Sequence, residues 1–127
     1  MSDIEDKTII ITGAGKNIGR AIAENFFRKK ANVVVNDILS IDKLNFPAKI
    51  ISSEKFLFSQ GDIASIEYQD QLIDETLKKF SKIDTLVNNV GIGSGKGFFD
   101  IWKGNCQVLA PIKRVNLIRW FFNSSFR

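Results

Sequence analysis

At 127 residues the chain has room for one domain, and a content of 44% hydrophobic and 25% charged residues, close to the average of soluble globular proteins, favours neither a disordered nor a fibrous class. The formal charge of +4 comes from 18 basic residues spread among 14 acidic ones, so a solvated surface accounts for it better than a nucleic-acid-binding face. One cysteine, Cys106, and no histidine leave out a disulfide framework and the common zinc constellations.

Residues 7 to 12 form a short β-branched run that stops at a glycine-rich turn, which predicts a strand buried on both faces. A helix is expected from Ile18 to Lys30, with Ile18, Ala21, Ile22 and Phe26 on its apolar side. Residues 32 to 37 give a second strand that closes on Asp37, completing a βαβ unit. After a loop containing Pro47, Lys55 to Ser59 reads as a third strand, broken by Gly61-Asp62. An amphipathic helix from Ser65 to Phe80 follows, with Tyr68, Leu72, Ile73, Thr76, Leu77 and Phe80 on one face as core packing. Lys78-Lys79 and Arg28-Lys29-Lys30 fall late in their helices, where cations complement the negative end. Ile83 to Val87 makes a fourth strand, ending at Asn88-Asn89.

Strands alternating with helices predict an α/β fold with a parallel, doubly wound sheet. Gly91, Gly93, Gly95 and Gly97 mark a flexible stretch, and Phe98 to Trp102 could open a helix that Gly104 and Pro111 interrupt. A last helix over residues 112–122 carries too many apolar residues for one stripe and calls for a cover. The polar, acidic opening and the lack of any run as long as a membrane span suggest the cytoplasm.

Thr12-Gly13-Ala14-Gly15-Lys16-Asn17-Ile18-Gly19 lies between an expected strand and an expected helix. There, backbone N–H groups can approach a pyrophosphate at the helix N-terminus. Asp37 stands where a carboxylate can accept hydrogen bonds from the adenosine ribose of NAD and repel the 2′-phosphate of NADP. Lys16 pulls the other way, since a cation in the turn could meet that phosphate, so NAD is preferred and NADP stays open.

The order Thr-Gly-x-x-x-x-x-Gly, a strand-end aspartate, Gly61-Asp62-Ile63 and Asn88-Asn89-Val90-Gly91 resembles the short-chain dehydrogenase/reductase family. The resemblance implies a Rossmann-type domain of about four strands with flanking helices. It also implies hydride transfer between a nicotinamide and an alcohol or carbonyl carbon. It assigns Gly13, Gly15, Lys16, Asn17, Ile18 and Gly19 to the phosphate turn and Asp37 to the ribose, with Ile38 after it among the cofactor-binding residues. Asp62 and Ile63 go to the adenine, and Asn88, Asn89, Val90 and Gly91 to the sheet beside the cofactor. Asn116 resembles the asparagine that supports the family's proton relay. Asn17 replaces the usual middle glycine and Val90 the usual alanine. Asparagine tolerates left-handed backbone angles, and Val90 adds bulk near the nicotinamide side.

The resemblance covers roughly residues 7 to 122, with the tail 92–127 matching poorly, and spans only the first half of a typical member. The family's catalytic serine and Tyr-x-x-x-Lys helix have no counterpart, because the single tyrosine is Tyr68 and position 72 is leucine. Ser94, Ser124 and Ser125 have no partner base. The expectation is one NAD(P)-binding domain over 1–127 that is truncated before the active site and inactive alone. A non-catalytic binding or interaction module, and the relic of a frameshifted gene, are the alternatives. An open fourth-strand edge and the apolar helix 112–122 would favour self-association.

Overall fold

Alternation along the strands sorts the apolar residues onto two faces, and each face is covered by a different part of the chain. The structure, a computed structural model, describes residues 3–89 and the strand Gln107–Leu109. At its centre β1 (Thr8–Thr12) is buried along its whole length, as a run of threonine and isoleucine between two neighbours should be. β2 (Asn32–Asp37) pairs parallel on one side, with Ile10 opposite Val34. β4 (Thr85–Asn88) pairs parallel on the other, with Ile10 opposite Leu86. β3 (Phe56–Gln60) lies parallel outside β2, giving the order β3-β2-β1-β4 of a Rossmann-type sheet.

The expectation of an open edge at β4 is corrected. β5 (Gln107–Leu109) pairs antiparallel along it, with Leu86 opposite Leu109 and Asn88 opposite Gln107. Three residues of backbone there satisfy donors and acceptors that would otherwise face outward.

One face buries Ile9, Ile11, Val33, Val35 and Val87 under α1 (Asn17–Arg28) and under Leu44, Phe46 and Ile50 from the connection after β2. That connection, expected as loop, contains a 3-10 turn (Ile41–Lys43) and a four-residue helix α2 (Ala48–Ile51) preceded by Pro47. The expected stripe on α1 is also corrected. Ile18 is 69% exposed and Ala21 is exposed, while Gly19 and Ala23 are buried and Ile22, Phe26 and Phe27 pack partly against the core. The cause lies at Gly19, where an added Cβ would come within 2.9 Å of the Ala14 Cα and the Gly13 carbonyl. The backbone contact fixes which side of the helix faces in, and Ile18 is turned away.

The other face buries Ile10, Val34 and Leu86 against α3 (Ile66–Phe80), through Tyr68, Leu72 and Ile73. Thr76 is buried, and Leu77 and Phe80 are partly buried, as the pattern predicts. Ser65 caps α3 by accepting from the Tyr68 N–H at 3.3 Å, and Ser81 ends it at φ 66°. The expected helix 112–122, the segment from Phe98 to Trp102 and the glycines from Gly91 to Gly97 lie outside the described residues. No helix among the described residues is long and apolar enough to cross a membrane.

Candidate cofactor-binding site

The carboxyl ends of β1, β2 and β4 converge on the turn that leads into α1. Thr12 closes β1, and its hydroxyl donates to Asn88 Oδ1 at 2.9 Å and accepts from the Asn89 N–H at 3.1 Å. The Asn89 side-chain amide donates to the Gly13 carbonyl at 3.2 Å. The Asn88-Asn89 pair at the end of β4 is therefore bonded to the end of β1 and the start of the glycine turn. Gly13 at φ 60° and Asn17 at φ 57° take the left-handed conformation. Asparagine pays less for that conformation than most residues, which explains why the glycine expected at position 17 can be missing. Among the described residues no side chain caps the N-terminus of α1, which leaves its first-turn N–H groups without a side-chain acceptor there to compete with an anion.

Asp37 ends β2 with both carboxylate oxygens engaged. Oδ2 accepts from the Gly15 N–H at 3.0 Å, and Oδ1 accepts from the Leu39 N–H at 3.0 Å. Each oxygen keeps a further lone pair for a hydroxyl donor. The wall beyond it is held by Arg20, whose guanidinium donates to the carbonyls of Leu44 and Asn45, pairs with Glu24 at 3.1 Å and lies over the Phe46 ring at 4.5 Å. Ile18 and Ile38 are exposed at 69% and 65%, unusual for isoleucine, beside the turn and just after Asp37 respectively. Lys16, exposed, precedes α1.

On the third side the Gly61 N–H donates to the Asp37 carbonyl at 3.0 Å, tying the turn after β3 to the end of β2. Asp62 is exposed, and its Oδ1 accepts from the Ala64 N–H at 2.9 Å. The Ile63 side chain is 3% exposed within the core under α3, so an adenine contact at this position is left to its backbone. Gln69 holds that backbone by donating to the Ile63 carbonyl at 2.8 Å, with no partner for its own Oε1 among the described residues.

The structure thus brings Gly13, Gly15, Lys16, Asn17, Ile18, Gly19, Asp37, Ile38, Asp62, Ile63, Asn88 and Asn89 to one end of the sheet. Val90, Gly91 and Asn116 lie outside the described residues, as do Ser94, Ser124 and Ser125. Sequence reasoning passed over Asn36, Ser59 and the Tyr68 hydroxyl, which form a buried network behind the turns, and the Arg20 clamp. The one available signal was polar: an asparagine inside the apolar strand Val33 to Asp37 must find partners. Burial pushes the Tyr68 hydroxyl above the usual tyrosine range, with its hydrogen bonds to Ser59 and Asn36 working against that.

A parallel sheet in this order, with a glycine turn after its first strand and an acid after its second, defines a Rossmann-type α/β protein. The chain belongs to the short chain dehydrogenase family, whose sequence pattern it matches over residues 7–116. It is 37% identical over 91 residues to glucose 1-dehydrogenase 2 of Bacillus subtilis (strain 168), covering 70% of this chain and 35% of that one. It is 40% identical over 115 residues to dehydrogenase/reductase SDR family member 4 of Caenorhabditis elegans, covering 89% of this chain and 44% of that one. Among solved structures it is similar to 3-ketoacyl-(acyl-carrier-protein) reductase from Brucella melitensis complexed with NADH. The TM-score there is 0.66 at 28% identity, over 96% of this chain and 48% of that one. The chain therefore spans about a third to a half of the length of these relatives.

Proposed function

We propose that the chain forms the dinucleotide-binding domain of a short-chain oxidoreductase and takes NAD in preference to NADP. The observation that carries this reading is Asp37, held by two backbone N–H groups between the glycine turn and Ile38. A fixed carboxylate there suits two ribose hydroxyls and opposes a 2′-phosphate. The uncapped first turn of α1 suits the pyrophosphate, and the exposed faces of Ile18 and Ile38 suit flat rings. When bound, the nicotinamide would carry the hydride, accepting it from an alcohol carbon in its oxidised form or giving it to a carbonyl carbon in its reduced form. The residues of this chain bind and orient the cofactor. The proton chemistry needs a tyrosine with a lysine four residues on, which these 127 residues do not contain, and Asn116 alone would only support it.

A second reading is a non-catalytic dinucleotide-binding module. Both readings place the protein in the cytoplasm and predict no turnover by this chain on its own. They separate when a chain carrying a Tyr-x-x-x-Lys segment is added, because only the oxidoreductase reading predicts that turnover appears.

Titration with NADH and NADPH, followed by nicotinamide fluorescence, tests the cofactor assignment. NADH should bind more tightly, and Asp37→Ala should weaken NADH by about tenfold while NADPH gains, since hydrogen bonds to a charged group are at stake. A wild-type preference for NADPH would shift the assignment from Asp37 to Lys16.

A further inference from the structure

Asn36 is buried near the end of β2, on the face of the sheet that α3 covers, and its amide reaches three separate segments. Its Oδ1 accepts from the Gly13 N–H at 3.4 Å. Its Nδ2, with two hydrogens to give, has three acceptors in range: the Tyr68 hydroxyl at 2.9 Å, the Gly61 carbonyl at 3.1 Å and, more distantly, the Ser59 carbonyl at 3.4 Å. The Gly13 N–H on Oδ1 and the Gly61 and Ser59 carbonyls facing Nδ2 fix which way the amide points, and the Tyr68 hydroxyl accepts from Nδ2 while its one hydrogen is directed to Ser59, with Oγ at 2.7 Å and the carbonyl at 3.0 Å. Tyr68 reaches this position only because Gly61 has no side chain; a Cβ there would lie within about 2.1 Å of the ring.

Gly13 opens the turn assigned to the pyrophosphate, and Gly61 opens the turn assigned to the adenine. We propose that Asn36 is a positioning residue for the dinucleotide, setting the spacing between these two turns, with Tyr68 holding its amide in place. The inference rests on the dinucleotide reading given above. A ligand that touches one turn is indifferent to their spacing, whereas a ligand that spans both gains only when the two are in register.

Adenosine and adenosine diphosphate make the distinction, because the second adds the phosphates to the same adenine and ribose. Calorimetric titration of the wild type should show the diphosphate binding more tightly. In Tyr68→Phe and Asn36→Ser the ratio of the two dissociation constants should fall by about fivefold or more. A role confined to stability would lower the folded fraction and weaken both ligands together, leaving the ratio where it was. An unchanged ratio in the variants overturns the assignment, and Tyr68→Phe, which keeps the ring, decides it if Asn36→Ser does not fold. Diphosphate binding no more tightly than adenosine to the wild type would instead overturn the dinucleotide reading itself.

Discussion

Asn17 holds φ 57° at a place where the family pattern has glycine, which makes it a direct measure of what the turn demands. A Cβ costs about 1–2 kcal/mol in that conformation for most residues and less for asparagine. Asn17→Gly should therefore leave the urea midpoint nearly unchanged, whereas Asn17→Ala should lose about 1 kcal/mol. Equal midpoints for the two variants would mean that the turn relaxes and the angle is not required. Tyr68 gives a second residue-level test, in pH. Burial raises its folded-state pKa above the ordinary value of 10.0, so the folded state keeps the proton after the unfolded chain has begun to lose it. The stability linked to this group is present in full below that value and is lost as the pH climbs through the folded pKa. Between pH 9 and pH 11 (roughly, from the tyrosine range) the wild type should lose more stability than Tyr68→Phe. Parallel curves would show the hydroxyl to be exposed in solution.

At the scale of the element, α3 depends on its two ends as well as on its stripe. Ser65 supplies the N-cap and Ser81 the left-handed C-terminal residue at φ 66°, a conformation in which glycine carries no Cβ penalty. Ser65→Ala should cost about 1 kcal/mol and Ser81→Gly should gain about 0.5 kcal/mol, both read from urea unfolding. Loss of stability in Ser81→Gly would place an unseen partner on the Ser81 side chain. These ends were legible beforehand to within a residue or two. The stripe from Tyr68 to Phe80 repeats at helical spacing, and the run from Asn32 to Asp37 is β-branched between breaks. α1 was less legible because Gly19 sets its rotation through backbone contact, which apolar spacing does not record, so Ile18 was assigned to the wrong side. The binding turn could be read because its chemistry is local, eight residues in a row. The network of Asn36, Ser59 and Tyr68 could not, because its members come from β2, β3 and α3 and meet only when the sheet is assembled.

For the whole molecule, the sheet's exposure turns on three residues. β5 pairs antiparallel with β4, and nothing in Gln-Val-Leu distinguishes it from other short apolar runs near it in the sequence. Its place follows from register with a strand some twenty residues earlier, a long-range fact. If β5 is what closes that edge, removing its pairing should give β4 back its open donors and acceptors and with them a template for another chain. Replacing Gln107 and Val108 together by proline takes away a donor in either register, since proline has no N–H, and leaves β1 to β4 untouched. Sedimentation velocity should then show a larger, concentration-dependent share of dimer or higher species than the wild type at the same loading. NADH binding should persist, because the glycine turn and Asp37 lie on β1 and β2. A double variant that sediments like the wild type would mean that β5 does not protect the edge, and that the chemistry of β4 itself keeps copies of the chain apart.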